Sequence, residues 1–301
     1  MKPFIKYAGN KQRFADAIAA RMPNKRSGYR NFHETFLGAG AIALTMLLHS
    51  VERKAYLSDI TPELINMWQC VQRHPLKLCR AIAALKTPKN QTEFEAVRDS
   101  FNDAKCLDLH SGAKWIANLG EGDKYAIAAM YVWLNKNSFN GLYRVNNNGE
   151  YNVSWNKDYE DGKRPKYPSV QELCDVSMLL KNAEITCQPF HVAMKDVREG
   201  DLVYCDPPYV PISETASFVG YTKEGFGDKE QRHLHNVLVN MTKRGAYVFA
   251  SNSDCAYVRS LYKDWSLHQL YRSNNISCIG ENRGKVAELL IYKTMEAAIA
   301  S

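Results

Sequence analysis

Apolar and polar positions along this chain follow two periods, and their order gives a first map of the fold. Arg30–Phe36 (RNFHETF) reads as a strand, and Ala41–Ser50 as an apolar helix after a glycine turn. Lys54–Ser58 (KAYLS) reads as a second strand that ends at Asp59. From Thr61 to about Leu134 apolar residues recur at three and four, the spacing of a helical face, and Pro62 suits a first helical position. Asn135–Pro168 breaks that rhythm, being rich in Asn, Gly, Lys, Arg and Tyr. Strand-like runs return at Ile185–Phe190, Asp201–Cys205, Tyr247–Ala250, Ser266–Tyr271 and Ala287–Tyr292, the last two read as a hairpin. Helical stretches near 169–182 and 229–243 lie between some of them.

Strands alternating with helices argue for an open α/β sheet with right-handed crossovers. The long helical and then polar middle section is too large for a crossover. It reads as a mainly helical domain over 61–168, inserted into a catalytic domain made of 1–60 and 169–301.

Two motifs fall at strand ends. Phe36-Leu37-Gly38-Ala39-Gly40-Ala41-Ile42-Ala43 matches G-x-G-x-x-A, and Asp59 follows about twenty residues on. Gly38 and Gly40 permit a tight turn and close backbone approach, while Asp59 can accept hydrogen bonds from ribose hydroxyls. A glycine turn used only for helix packing would not need the distant acid. The motif alone does not separate a nicotinamide cofactor from S-adenosylmethionine, since both present an adenosine.

Asp201–Cys205 runs straight into Asp206-Pro207-Pro208-Tyr209. Proline cannot continue a sheet ladder, so this tetrapeptide sits at a strand's carboxyl end, where open sheets place their ligands. Asp206 Oδ and the Pro207 carbonyl can act together as acceptors. A poorly nucleophilic exocyclic amine needs such a pair, because binding its hydrogens frees the nitrogen lone pair to attack a sulfonium methyl. Tyr209 offers a ring on which a base can stack.

Composition adds limits. With 45% hydrophobic and 24% charged residues the chain has ordinary globular composition. The longest apolar run, Ala126–Leu134, is far short of the ~20 residues of a membrane span, and the start MKPFIKYAGNK shows no secretory h-region. The eight cysteines form no C-x-x-C pair, so a reduced cytoplasmic chain without a metal site is expected. Charge changes the picture more. The first thirty residues carry Lys2, Lys6, Lys11, Arg13, Arg21, Lys25, Arg26 and Arg30 against Asp16 alone, eight minus one, which equals the whole net charge of +7. A basic flank suits a polyanion, although a merely solvated face would look the same.

The Asp206–Tyr209 motif resembles that of amino-group methyltransferases, and Phe36–Gly40 resembles their cofactor loop. Cofactor loop first, Asp-Pro-Pro-Tyr late and an insertion between them is the order of alpha-class adenine-N6 DNA methyltransferases. Within that class the chain is similar to the Dam family from end to end. Lys6-Tyr7-Ala8-Gly9-Asn10-Lys11 looks like its amino-terminal cofactor motif, and Leu57-Ser58-Asp59-Ile60 like its ribose-binding segment. Leu134–Arg144 (LNKNSFNGLYR) resembles its DNA-recognition hairpin. Tyr221-Thr222, Gln231–Leu234, Ser251-Asn252 and Arg283–Val286 match its late segments.

The resemblance implies a seven-stranded, mostly parallel, Rossmann-like methyltransferase sheet. It implies that Tyr7, Lys11, Phe36, Gly38, Gly40 and Asp59, with Asp206, surround S-adenosylmethionine. It further implies a flipped adenine held by Asp206, Pro207, Pro208 and Tyr209, a duplex DNA partner, a monomer, and base contacts from Lys6, Asn137, Phe139, Asn140, Leu142 and Arg144, with GATC as a candidate site. This chain has Asn10 where the family usually has glycine, and Ser154 where a Dam enzyme commonly has a proline that helps read the site. An RNA or protein-amide methyltransferase and an inactive DNA-binding regulator remain the alternatives.

Overall fold

The computed structural model describes residues 1–23, 28–50, 52–159, 163–210, 226–273 and 285–294 of the 301. Tyr221-Thr222, Arg283-Gly284 and Cys278 lie outside the described residues, and of Lys285-Val286 only the backbone is described.

The strands are β1 (Phe32–Glu34), β2 (Ala55–Asp59), β3 (Ala183–Cys187), β4 (Leu202–Cys205), β5 (Tyr247–Ser253), β6 (Ser266–Ser273) and β7 (Lys285–Lys293). They form one seven-stranded sheet in the order β3-β2-β1-β4-β5-β7-β6. The first five are parallel, whereas β7 runs antiparallel to both β5 and β6. The expected seven-stranded, mostly parallel Rossmann-like sheet is therefore present, with its terminal hairpin.

The central strands β4 and β5 are buried at every position because both faces of the sheet are covered there. Along β4, Leu202 and Tyr204 enter one hydrophobic core while Val203 and Cys205 enter another, and β5 repeats this with Tyr247 and Phe249 against Val248 and Ala250. Period-two alternation delivers successive side chains to opposite faces. The second face is closed by α10 (Asp228–Lys243), which contributes Leu234, Leu238 and Met241, and by α11 (Ala256–Leu261), which contributes Val258.

The first face is covered by α1 (Ala15–Ala19), α2 (Ala41–His49), α3 (Pro62–Arg73) and α8 (Val170–Leu179). In α2 every residue from Ala41 to Leu47 is buried, the pattern of a helix apolar all round. Pro62 opens α3 as expected, and Ser169 with Glu172 forms a capping box at α8. Between them run α4 (Pro75–Ala84), α5 (Gln91–Ala104), α6 (Gly112–Asn118) and the 17-residue α7 (Glu121–Asn137). The same core passes without a break from Phe32 and Leu57 through Trp68 to Trp133, Tyr151 and Trp155, so the 61–168 segment shares its apolar interior with the sheet.

The Ile185–Phe190 run divides: its strand ends at Cys187, and Phe190 opens a one-turn helix, α9 (Phe190–Ala193). Pro189, lacking an N–H, stands at its N-cap and ends the ladder.

Candidate active site and nucleic-acid interface

Sheet order reverses between β1 and β4, since β2 and β3 build outward on one side and β4 and β5 on the other. Open sheets bind ligands at such a switch point, beyond the carboxyl ends of the strands. Parallel register sets Glu34 beside Leu57 and Tyr204, so the segments after β1, β2 and β4 emerge together. Both sequence motifs follow these strands.

After β1, Gly38 and Gly40 take positive φ values of 46° and 70°. A Cβ on Gly38 would lie 3.0 Å from Tyr7 Cδ1, and one on Gly40 would lie 3.0 Å from the Trp68 ring. The turn is held to the next strand by Asp59: Gly38 N donates to its Oδ2 at 3.0 Å and Thr61 N to its Oδ1 at 3.0 Å. Trp68 Nε1 donates to the Gly38 carbonyl at 3.0 Å. Burial raises the Asp59 carboxyl above its ordinary range, and the backbone bonds from Gly38 and Thr61 oppose that rise. Phe36 points to the other face, packed with Phe190 and Phe226 at centroid distances of 5.7 and 5.8 Å.

After β4, Asp206 lies at the centre of a charged cluster. Lys11, only 4% exposed, places its Nζ 3.0 Å from Asp206 Oδ1 and 3.7 Å from Glu288 Oε2, and donates to the Gly9 carbonyl at 2.6 Å. The same ammonium sits 4.5 Å from the Tyr209 ring centroid, while Tyr209 Oη donates to Glu288 Oε2 at 3.0 Å. Burial pushes the Asp206 carboxyl up to about 6, although Lys11 pulls it down. Glu34 is held well above the carboxylate range by burial and then by the charge of Asp206. Its Oε2 is buried without a hydrogen-bond partner among the described residues.

The rigid Asp-Pro-Pro-Tyr turn is clamped from below. Gln231 Nε2 donates to the Pro208 carbonyl at 2.9 Å, and Gln231 is in turn held by Asn252 Nδ2 at 3.1 Å. Val210 N donates to Asn252 Oδ1 at 3.2 Å, and Ser253 Oγ to the Val210 carbonyl at 2.7 Å. These contacts give structural content to two late segments that were legible only by resemblance.

The 134–144 segment continues α7 to Asn137 and then turns back. Two isolated antiparallel bridges, Ser138 with Trp155 and Val145 with Tyr151, define a hairpin. At its base, beside the Ser138 bridge, Phe139 is 52% exposed and Asn140 has φ 55°, a left-handed conformation. Arg144 is exposed, its Nε donating to Asn152 Oδ1 at 2.8 Å. Lys6 is exposed beside the hairpin, and Leu142 is half-buried against the core. Asn137 departs from expectation as a base contact. It is fully buried, its Nδ2 donating to the Trp133 carbonyl and to Tyr167 Oη at 2.7 and 2.8 Å, so it supports the hairpin from inside.

Asn10 is a second departure. Its φ is −50°, so no left-handed conformation is demanded there, and its side chain caps Gln12 N. Gly9 carries the positive φ of 74° instead. Lys11 also leaves the solvated basic flank, being spent on Asp206 and Glu288. Sequence reasoning missed Glu34, Glu63, Asn135 and Glu288, which reach the site from β1, α3, α7 and β7. Glu34, an acid two residues before the Phe36–Gly40 turn, is the one that local sequence signalled.

Fold and site define an open α/β enzyme with its ligand crevice at a topological switch point. The chain belongs to the family of D12 class N6 adenine-specific DNA methyltransferases, whose model matches residues 7–276. It is 32% identical over 302 residues to the type II methyltransferase M.MjaIII of Methanocaldococcus jannaschii, covering 97% of this chain and 98% of that protein. The DNA adenine methylase of Escherichia coli strain K12 is 29% identical over 295 residues, covering 97% and 95%. The DNA N-6-adenine-methyltransferase of Escherichia phage P1 is 30% identical, covering 96% of this chain and 35% of that protein. The expected family and enzyme class are thus met. Among the described residues no helix is long and apolar enough to cross a membrane, and no group of His, Cys, Asp or Glu is arranged to hold a metal.

Proposed function

We propose that the chain transfers a methyl group from S-adenosylmethionine to N6 of an adenine extruded from a short duplex site, with residues 61–168 carrying target recognition. The observation that carries this reading is the convergence of Asp206, in a clamped Asp-Pro-Pro-Tyr turn, with the Gly38–Asp59 turn at neighbouring strand ends.

The residues fit the cofactor. Gly38 and Gly40 form a cradle that a Cβ would fill, and the partnerless Glu34 Oε2 suits a cationic amine such as that of the methionine end. Asp59 keeps lone pairs for ribose hydroxyls beyond the two backbone bonds it accepts. Tyr7 and Lys11 close the cleft from the amino-terminal segment. When bound, S-adenosylmethionine supplies an electrophilic methyl on a sulfonium.

The chain's own residues supply position and hydrogen-bond acceptance. Asp206 Oδ and the Pro207 carbonyl accept the N6 hydrogens, which favours a tetrahedral nitrogen with an available lone pair. Lys11 keeps Asp206 ionised within a buried cluster that otherwise favours its neutral form. Tyr209, anchored through Glu288, gives the base a stacking surface. Unstacking costs a few kcal/mol, which binding of the extruded base offsets. Holding N6 in line with the methyl group accounts for most of the acceleration.

Sequence is read by the hairpin. Phe139 wedges beside the vacated position, and Asn140, Leu142, Arg144 and Lys6 touch neighbouring base edges. Arg144 matches the bidentate donor geometry of a guanine contact. GATC is the first site to test, with Ser154 exposed where the resemblance places a reading proline. The enzyme acts as a monomer in the cytoplasm, bacterial or that of a phage host. Incubating the protein with S-adenosylmethionine and equal amounts of duplex DNA, RNA and protein tests the substrate class. Label in DNA alone supports the reading, and label in RNA or protein alone overturns it.

A further inference from the structure

The recognition hairpin is tied to both cofactor segments by buried polar side chains that take no part in methyl transfer. Asn135, 5% exposed in the last turn of α7, uses its whole amide for this. Its Oδ1 accepts the Lys6 N–H at 2.9 Å, and its Nδ2 donates to the carbonyls of Lys6 at 2.7 Å and Gly141 at 2.9 Å. Gly141, at φ +65°, is pressed onto Lys6 so closely that a Cβ would lie 2.7 Å from Lys6 Cδ. The next residue, Tyr7, covers Gly38 in the cofactor turn.

The second tie runs through Glu63, which is fully buried in the first turn of α3. Its Oε2 accepts from Tyr143 Oη at 3.2 Å, and its Oε1 accepts from Cys106 N at 3.0 Å with Lys105 Nζ 3.7 Å away. Two residues earlier, Thr61 N is bound to Asp59. Lys105 also donates to the Gly149 carbonyl at 2.5 Å, in the turn that joins the hairpin's two arms. Between these ties the hairpin's two arms share two isolated bridges and backbone bonds such as Phe139 N to Ser154 O and Asn152 N to Arg144 O, and a single two-stranded pairing of this kind is only marginally stable by itself.

We propose that Asn135 and Glu63 are positioning residues that couple the cofactor cleft to the recognition hairpin, so that cofactor and duplex bind with positive linkage. Cofactor against Tyr7 and Asp59 orders the two anchor segments, and these order the hairpin before DNA arrives. The duplex then meets a hairpin whose ordering cost is already met, and the linkage is reciprocal. This inference rests on the reading of the hairpin as the duplex-facing element.

The test uses the full chain, S-adenosylhomocysteine as unreactive cofactor, and a duplex bearing the site found by plasmid sequencing. Wild type is expected to bind the duplex at least about 5-fold more tightly with S-adenosylhomocysteine present. It should also gain amide-exchange protection over residues 139–152 when cofactor alone is added. Tyr143→Phe removes only the donor to Glu63, and Asn135→Asp removes both donors to Lys6 and Gly141. Each is expected to keep cofactor affinity within about twofold of wild type while the coupling falls toward one and the cofactor-induced protection is lost, a pattern that general destabilisation would not produce. Wild-type coupling retained in both variants, or none in wild type, overturns the inference and leaves the methyltransferase reading standing. Cofactor binding with no duplex binding at all overturns that reading, and this inference with it.

Discussion

Lys11 has two acceptor carboxylates and one aromatic ring within reach of a single ammonium, and Asp206 depends on it most. Burial raises Asp206 to about 6 even with Lys11 opposing, while Glu34, Glu288 and Tyr209 crowd it from β1, β7 and its own turn. The working form of Asp206 is the deprotonated acceptor. Activity is therefore expected to rise with pH through about 6 and then level off. In Lys11→Met the opposing cation is gone, the Asp206 carboxyl climbs further, and the acid limb of kcat/KM moves to higher pH. An unmoved limb with only a lower plateau would assign Lys11 to cofactor binding alone. Asp206→Ala is expected to abolish methyl transfer while duplex binding survives in a mobility-shift measurement. Equal turnover by that variant contradicts the mechanism.

At the scale of elements, the turn after β1 and the hairpin after α7 carry the two separable halves of the function. Gly38→Ala forces an alanine into a left-handed conformation and drives its Cβ onto Tyr7. The expected outcome is a stability loss of about 1–2 kcal/mol in urea and a cofactor affinity reduced by more than that strain alone explains. Unchanged calorimetric affinity for S-adenosylhomocysteine would place the cofactor elsewhere. Arg144→Ala is expected to relax discrimination by about 1–3 kcal/mol at one base pair. Equal weakening on every sequence would make Arg144 a phosphate contact.

The same two elements show what the chain discloses by itself. The Gly38–Gly40 turn and the proline-stopped β4 were legible because each is a local constraint on backbone or ladder. The hairpin was legible as an aperiodic polar stretch, but not which of its residues face outward. Asn137 and Asn140 have identical side chains three positions apart, yet one ends a buried helix turn and the other takes a left-handed conformation just beyond it. Phe190 continued an apolar run but left the sheet because Pro189 ended the ladder. Glu34, Glu63, Asn135 and Glu288 are polar residues within β1, α3, α7 and β7, where a pattern of burial gives no sign of their partners. Those partners are far off in sequence: Asn135 meets Lys6, and Glu288 meets Lys11 and Tyr209.

Across the whole molecule, the first thirty residues hold the basic excess of the chain, of which Lys11 is consumed by the site. Lys2, Lys6, Arg13, Arg21 and Arg30 stay exposed and available to phosphates. Duplex affinity is therefore expected to fall linearly with salt on logarithmic axes, by about 3.5-fold per neutralised phosphate between 50 and 200 mM. Affinity indifferent to salt would remove the flank from the interface. The central claim is more directly tested by product than by binding. Unmethylated plasmid DNA is incubated with the protein and S-adenosylmethionine, and modified adenines are located by single-molecule sequencing. N6-methyladenine confined to one short motif is the expected result, while unmodified DNA from a protein that binds the cofactor would contradict the account.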